Sequence, residues 1–287
     1  MPRENIWFED GNTPVPGLFS CCRARRQEAQ EPMDVHRHGP DHFEIVYLAE
    51  GRRTYFVDGN PCVLRGHEVL VVRPGETHDT RGMAQEKCMF YAVVLRIARE
   101  PGSFLCLRGD AADVLRDALL QIRSTSFHGD PTMIRDLDDL LQACASPPSD
   151  RLRSARACSS LLSFLLAVIR CAGKQGRQAP DPWVEQAIRH IDAHIGTPLR
   201  LGDMAAAMDM SESRLKHRFR EEFGMSPHDY VLRRKVDLAR ERLQSGSTRI
   251  TDVAMELGFS SSQHFARVFR QYTGMSPSEF RRTTRTK

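Results

Sequence analysis

The chain has 287 residues, 41 Lys+Arg, 37 Asp+Glu and a formal net charge of +4, which is length enough for two or three domains with ordinary cores. The charge is uneven: residues 1–180 carry 23 basic and 23 acidic side chains, whereas residues 181–287 carry 18 basic and 14 acidic, so the excess belongs to the last third. The eight cysteines, at positions 21, 22, 62, 88, 106, 144, 158 and 171, include no Cys-x-x-Cys pair, which excludes a zinc ribbon and a disulfide scaffold and fits reduced thiols.

In chain order, the opening Met1-Pro2-Arg3-Glu4-Asn5-Ile6-Trp7 lacks the apolar core of a signal peptide. From 35 to 97 the pattern is that of strands. Phe43–Leu48 and Thr54–Val57 are β-rich, Asp58-Gly59-Asn60 supplies hairpin chemistry, and Cys62–Leu64, Glu68–Val72 and Met89–Leu95 follow with Pro74-Gly75 as a further turn. Short strands at even spacing predict a small barrel or sandwich. From Ala111 the period becomes helical: Val114, Leu115, Ala118, Leu119 and Ile122, then Met133, Ile134, Leu137, Leu140 and Leu141. A third helix over about 152–171 is apolar around much of its circumference near Leu161–Ile169, and must bury that surface in its own core or against a second subunit. The 161–169 run is too short to cross a bilayer, so a soluble cytoplasmic protein with no membrane partner is expected. Gly173–Pro182, rich in Gly and Pro, reads as the linker between two domains.

The last third says nearly the same thing twice. Phe219-Arg220-Glu221-Glu222-Phe223-Gly224-Met225-Ser226-Pro227 is echoed by Phe269-Arg270-Gln271-Tyr272-Thr273-Gly274-Met275-Ser276-Pro277. Each copy reads as a short helix, a turn and a longer helix. In the first, Leu201, Met204, Ala205 and Met208 form an apolar stripe, Ser211 is a suitable N-cap, and Leu215, Phe219 and Phe223 face inward. Ser213, Lys216, His217 and Arg220 then share the opposite face. In the second, Phe265, Phe269 and Tyr272 anchor the longer helix, and Ser262, Gln263, Arg267 and Arg270 point away from them. A solvated helix face accounts for either stripe; so does a helix that contacts phosphates and base edges, where Gln suits adenine and Arg suits guanine. A long helix over 227–244 would hold the two units at a fixed separation.

These features, with the Gly258-Phe259-Ser260 turn and the Phe-Arg-x-x-x-Gly-x-Ser-Pro tail, resemble the AraC/XylS family of bacterial transcriptional regulators over about residues 183–283. The resemblance implies an α+β fold: an N-terminal arm over 1–34, a cupin-like β-barrel over 35–108 that binds an effector, a helical dimerisation segment over 109–172, and an all-α DNA-binding domain over 181–285 with two helix-turn-helix units. It implies base contacts from Ser213, Lys216 and His217 and from Ser262, Gln263 and Arg267, with Arg220 and Arg270 beside them. Implied partners are a double-stranded DNA operator, RNA polymerase and a second copy of the chain, and the expected role is transcriptional activation, with no catalytic residue and no cofactor. The first unit departs from the usual turn, with Asp209-Met210 where the second has Gly258-Phe259.

In the N-terminal part, His36-Arg37-His38, Glu44, Pro74-Gly75 and His78 are similar to the two-part pattern of cupin barrels, although five residues separate His38 from Glu44 and His42 could replace one of the pair. Three readings stand: a pocket in which His36, His38, His42, Glu44 and His78 hydrogen-bond a small polar effector, such as a sugar; a metal centre in a metal-dependent cupin enzyme; and histidines satisfied within the barrel mouth. The first is the expectation, with no bound metal. A DNA-repair regulator with a methyl-accepting cysteine would need cysteines spaced for zinc, which Cys21-Cys22 does not supply.

Overall fold

The structure is a computed structural model and describes residues 5–9, 11–26, 36–80, 87–97, 101–174, 182–244 and 248–285. The chain divides into two compact units; among the described residues the first holds the strands and three helices and the second holds seven helices. The expected linker lies, between residues 175 and 181, outside the described residues.

The first unit contains β1 (Asn5–Phe8), β2 (Leu18–Arg26), β3 (His36–Arg37), β4 (His42–Val57), β5 (Asn60–Arg65), β6 (Glu68–Val72), β7 (Thr77–Asp79), β8 (Cys88–Arg96), the short pair β9 (Ser103–Phe104) and β10 (Leu107–Arg108), and β11 (Ser126–His128). Its helices are α1 (Asp110–Leu120), α2 (Met133–Ala145) and α3 (Arg153–Gly173). The main sheet runs in the order β1-β2-β8-β4-β6-β11, with β5 and β7 also paired to β4 and β3 paired to β7. Among the described residues this path is open, so the barrel expected from the strand spacing is a branched sheet whose hydrogen bonding does not close. Residues 5–8 and 18–26, expected within an arm, are strands of that sheet.

One strand organises the unit. Sequence reading divides 43–57 into two strands, but β4 is continuous over 16 residues. Alternation places Phe43, Ile45 and Tyr47 against the helices, where they join Tyr91, Val93 and Leu95 of β8, Leu115 and Leu119 of α1, Leu137 and Leu140 of α2, and Leu161, Phe164, Leu165 and Val168 of α3 in one core. Glu44, Val46 and Leu48 therefore face the other way. A β-bulge between Leu48 and Glu50 shifts the pairing with β8. An extra residue reverses the phase of everything after it, so Gly51, Arg53, Tyr55 and Val57 become the buried set and share the Glu44 face.

The 161–169 run is only the middle of α3, whose 21 residues are long and apolar enough to cross a membrane by length and composition. Ala157, Leu161, Phe164, Leu165, Ala167, Val168 and Cys171 are instead buried in the core of the first unit.

The second unit contains α4 (Pro182–Ala193), α5 (Leu201–Ala207), α6 (Glu212–Phe223), α7 (Pro227–Gln244), α8 (Ile250–Glu256), α9 (Ser262–Thr273) and α10 (Pro277–Arg285). Two apolar cores form. Trp183, Ile191, Met204, Leu215, Phe219 and Phe223 make one around α5 and α6; Val253, Leu257, Phe259, Phe265, Phe269 and Phe280 make the other around α8 and α9. Helix α7 enters both, giving Val231 to the first and Val236, Ala239 and Leu243 to the second. Each longer helix is stopped and started by the same chemistry. Ser211 Oγ accepts a hydrogen bond from the Arg214 amide and Ser261 Oγ from the His264 amide, while Gly224 and Gly274 close the C-termini in the left-handed conformation.

Candidate DNA-contacting helices and a buried His–Glu cluster

The turn that aims each longer helix needs a left-handed residue. Asp209 (φ 51) supplies it before α6 and Gly258 (φ 67) before α9. Aspartate tolerates this region better than most side chains, which explains why the unequal turns produce equal geometry. Sequential apolar residues at i and i+4 bury Leu215, Phe219 and Phe223 on α6 and Phe265 and Phe269 on α9. The opposite stripes face solvent: Ser213, Lys216, His217 and Arg220 on α6, and Gln263, Arg267 and Arg270 on α9, are exposed, and Ser262 is half-buried at the start of α9.

The α6 stripe is internally paired. Lys216 Nζ lies 3.6 Å from Glu212 Oε2, and His217 Nε2 lies 3.3 Å from Glu221 Oε1. An exposed ion pair one helical turn apart is worth about 0.3–0.5 kcal/mol, so the Lys216–Glu212 pair holds its side chains only loosely.

In the first unit, the structure brings together three of the five predicted effector residues. His38 Nε2 lies 3.1 Å and His78 Nε2 3.0 Å from the same atom, Glu44 Oε2. Glu44 occupies the centre of the sheet, paired across to Val72 and Val94, and is buried with His78. The two imidazole rings are 5.3 Å apart. His42 stands aside: its Nδ1 is 2.9 Å from Asp41 Oδ1, and its ring meets Phe19 edge-on at 4.4 Å. His36 is paired in register with His78, and its side chain lies outside the described part.

Burial alone would raise the Glu44 carboxyl, but hydrogen bonds from His38 and His78 outweigh it and hold the group at about 2. The same bond to Glu44 raises His38 above the ordinary histidine value, against burial. The signs set the pH window. Glu44, depressed, contributes stability that is present above the ordinary carboxyl value and lost as pH falls towards about 2; His38, raised, contributes stability that is complete below the ordinary histidine value and lost as pH rises through its folded one. Thermal melts of the wild type should therefore weaken as pH rises from 6 to 9, and His38→Gln should flatten that slope. An identical slope in the variant would assign the pH dependence elsewhere.

Two residues here escaped sequence reading. Arg53 and Tyr55 are buried on the Glu44 face; the Arg53 guanidinium lies 4.6 Å from the Tyr55 ring centre and 4.2 Å from that of Phe90, and the Tyr55 ring is 6.4 Å from His78. The signal is the burial phase set by the bulge, which needs the pairing with β8 to be seen. His38, Glu44 and His78 also place three ligand atoms within 4.8 Å of one another, a set that could hold a metal ion.

Two family models match the chain, one described as a helix-turn-helix domain over residues 204–283 and the other as an AraC-like ligand binding domain over residues 23–161. Among curated relatives, the chain is similar to the uncharacterized HTH-type transcriptional regulator YfiF of Bacillus subtilis, at 25% identity over 260 residues covering 86% of this chain and 78% of that one. It is also similar to the HTH-type transcriptional activator RhaS of Klebsiella pneumoniae, at 22% identity over 254 residues and 88% of each chain. A solved AraC-type regulator from Chromobacterium violaceum aligns at 30% identity with a TM-score of 0.35, covering 36% of this chain and 92% of that one. With a ligand-binding domain of this type joined to a helix-turn-helix domain, and relatives of the same class matched along most of its length, the chain belongs to the AraC family of transcriptional regulators.

Proposed function

We propose that this regulator is a cytoplasmic, dimeric transcriptional activator whose second unit reads DNA through two helix-turn-helix units, α5–α6 and α8–α9, under control of a small polar effector bound at a cupin-like site in the first unit. The observation that carries the DNA-reading half is the pair of solvent-facing stripes on α6 and α9, held by two separate cores on one shared helix. Helix α7, 18 residues long, spans about 27 Å at 1.5 Å per residue. Successive major-groove openings on one side of a duplex are about 34 Å apart, so one chain can address two turns of its operator. Ser213, Lys216, His217 and Arg220 serve the first contact and Ser262, Gln263, Arg267 and Arg270 the second. Activation, which brings RNA polymerase in as a partner, is supported by the RhaS relatives, which are named transcriptional activators.

The polar effector reading rests on Glu44, buried and shared by two imidazoles on a face that also carries Arg53 and Tyr55. Such a group of acceptors and donors suits a polyhydroxylated molecule, and a carbohydrate is the proposed class. The effector acts by favouring one arrangement of the regulator over another. Gel-shift titration against the upstream region of neighbouring genes should show sequence-dependent binding that weakens steeply with salt. Salt-dependent binding that is equal on random DNA would remove the operator-reading proposal.

Within that experiment, Arg267→Ala should weaken specific binding by about 1–3 kcal/mol if the guanidinium reads a base edge in two hydrogen bonds. An equal loss on specific and random DNA would reassign Arg267 to a phosphate.

A second reading is favoured by one observation, the convergence of His38, Glu44 and His78. Two imidazoles and one carboxylate suit a transition metal with open positions, as in a metal-dependent cupin enzyme. Elemental analysis decides between them: stoichiometric metal that disappears in His78→Ala supports the metal reading, and a metal-free protein that responds to a sugar in a thermal-shift screen supports the effector reading.

A further inference from the structure

All eight cysteines lie between residues 21 and 171, and all are thiols rather than disulfides. Two of them, 123 residues apart in sequence, meet. Cys21 on β2 and Cys144 in the last turn of α2 bring their Sγ atoms to 3.8 Å, and both side chains are buried. A disulfide needs about 2.05 Å, so closure requires the two sulfurs to approach by somewhat less than 2 Å, within reach of side-chain rotation and small backbone movement.

The surroundings separate the roles of the two thiols. Arg153, at the start of α3, donates from Nη2 to the Cys144 carbonyl at 2.8 Å and from Nε to the Ala143 carbonyl at 3.3 Å. Its Nη2 also reaches the Asn12 carbonyl at 3.0 Å. The guanidinium is half-buried and sets a fixed positive charge beside Cys144. We propose that Cys21 and Cys144 form an oxidisable dithiol, a modification site at which a hydroperoxide-class oxidant closes a disulfide that fastens α2 to β2. The hydrogen bond from Cys21, and then the Arg153 charge acting against burial, hold the Cys144 thiol below its ordinary value; the same bond and burial push Cys21 up. Cys144 is therefore the attacking sulfur and Cys21 the resolving one.

The chemistry balances. The Cys144 thiolate attacks one peroxide oxygen; an S–O bond forms as the O–O bond breaks, and the departing hydroxide combines with the proton lost from Cys144 to give water. The Cys21 sulfur then attacks the Cys144 sulfur; the S–S bond forms as the S–O bond breaks, and the second hydroxide leaves as water with the Cys21 proton. Two thiols are oxidised by two electrons and one peroxide is reduced to two waters.

A second thiol pair serves as the internal comparison. Cys158 on α3 hydrogen-bonds Cys106, both are half-buried, and burial followed by that bond pushes Cys158 up to about 12. Burial and that bond both disfavour the Cys158 thiolate, so this pair reacts more slowly despite its greater exposure.

The test uses the full chain, reduced, desalted and treated with one to a few equivalents of hydrogen peroxide, then alkylated and mapped without reduction. The expected result is a mass loss of about 2 Da, one disulfide's worth of hydrogen, with the Cys21 peptide joined to the Cys144 peptide. Dithiothreitol should reverse it, and the oxidised protein should melt at a higher temperature, since the link closes a long loop. In Cys21→Ser, the sulfenic acid should accumulate at Cys144 and be trapped by dimedone. A link between any other pair, including Cys106 and Cys158 alone, would overturn the proposal. So would full alkylation of Cys144 after a large excess of peroxide. The wild-type map decides the matter even if a serine variant fails to fold.

Discussion

Gly258→Ala will destabilise the helical unit by about 3 kcal/mol or more, the largest loss expected from any single methyl group added here. The position has φ 67, and a Cβ built on it would lie 2.2 Å from the Gly196 carbonyl oxygen and 2.6 Å from its carbon. Both are backbone atoms, so no rotamer change relieves the overlap. Gly196 is as constrained from its own side, since a Cβ there would meet the Glu256 carbonyl oxygen at 2.9 Å. The two glycines let the segment between α4 and α5 touch the end of α8. Asp209→Gly, at the matching turn before α6, is the control: it removes a left-handed aspartate and should change stability by less than about 1 kcal/mol. Urea unfolding followed by the helical circular dichroism signal measures both, and a loss below about 1 kcal/mol for Gly258→Ala would show that the backbones do not approach as described.

The second large effect is expected at Glu44. Glu44→Ala leaves two imidazoles facing a cavity where a carboxylate had been, and breaking a buried ionic cluster by removing one member costs about 3–5 kcal/mol. The loss should fall on the first unit and abolish the response to effector while leaving basal DNA binding by the second unit in place. Glu44→Gln keeps the shape and an acceptor oxygen, so it should recover part of the stability without recovering the pH dependence. An effector response that survives in both variants would take the binding site away from this cluster.

The helical repeat was legible because its signals are local. Phe219 and Phe223, and then Phe265 and Phe269, mark the inward face at four-residue spacing; Ser211 and Ser261 cap, and Gly224 and Gly274 stop. Each is decided within one or two turns of the chain. The sheet was legible only in part. Phe43–Leu48 announces a strand, but Leu48-Ala49-Glu50-Gly51 looks like its end, because a bulge breaks alternation and only the partner strand shows that pairing resumes. Tyr55 consequently falls in a separate strand, Thr54–Val57, and Arg53 in none. Strand β2 was hidden for a different reason: it lies in the segment expected as an arm, and Arg23, Arg25 and Arg26 obscure its apolar pattern, whereas Cys21, Cys22 and Ala24 are buried. The contacts of His42 with Asp41 and with the Phe19 ring, and the 6.4 Å between its ring and that of His38, are ones that spacing alone does not disclose.

The sharing of α7 by two cores has a geometric consequence. A helix advances about 100° per residue, so removing one residue between Val231 and Val236 would swing everything downstream through roughly a quarter-turn while shortening the span by only ~1.5 Å. The two exposed stripes would then point in different directions around the rod. Changes in the distance between the α6 and α9 faces that keep both stripes on one side are therefore confined to steps of about three or four residues, near a whole helical turn, so the connecting helix quantises the spacing of the two faces.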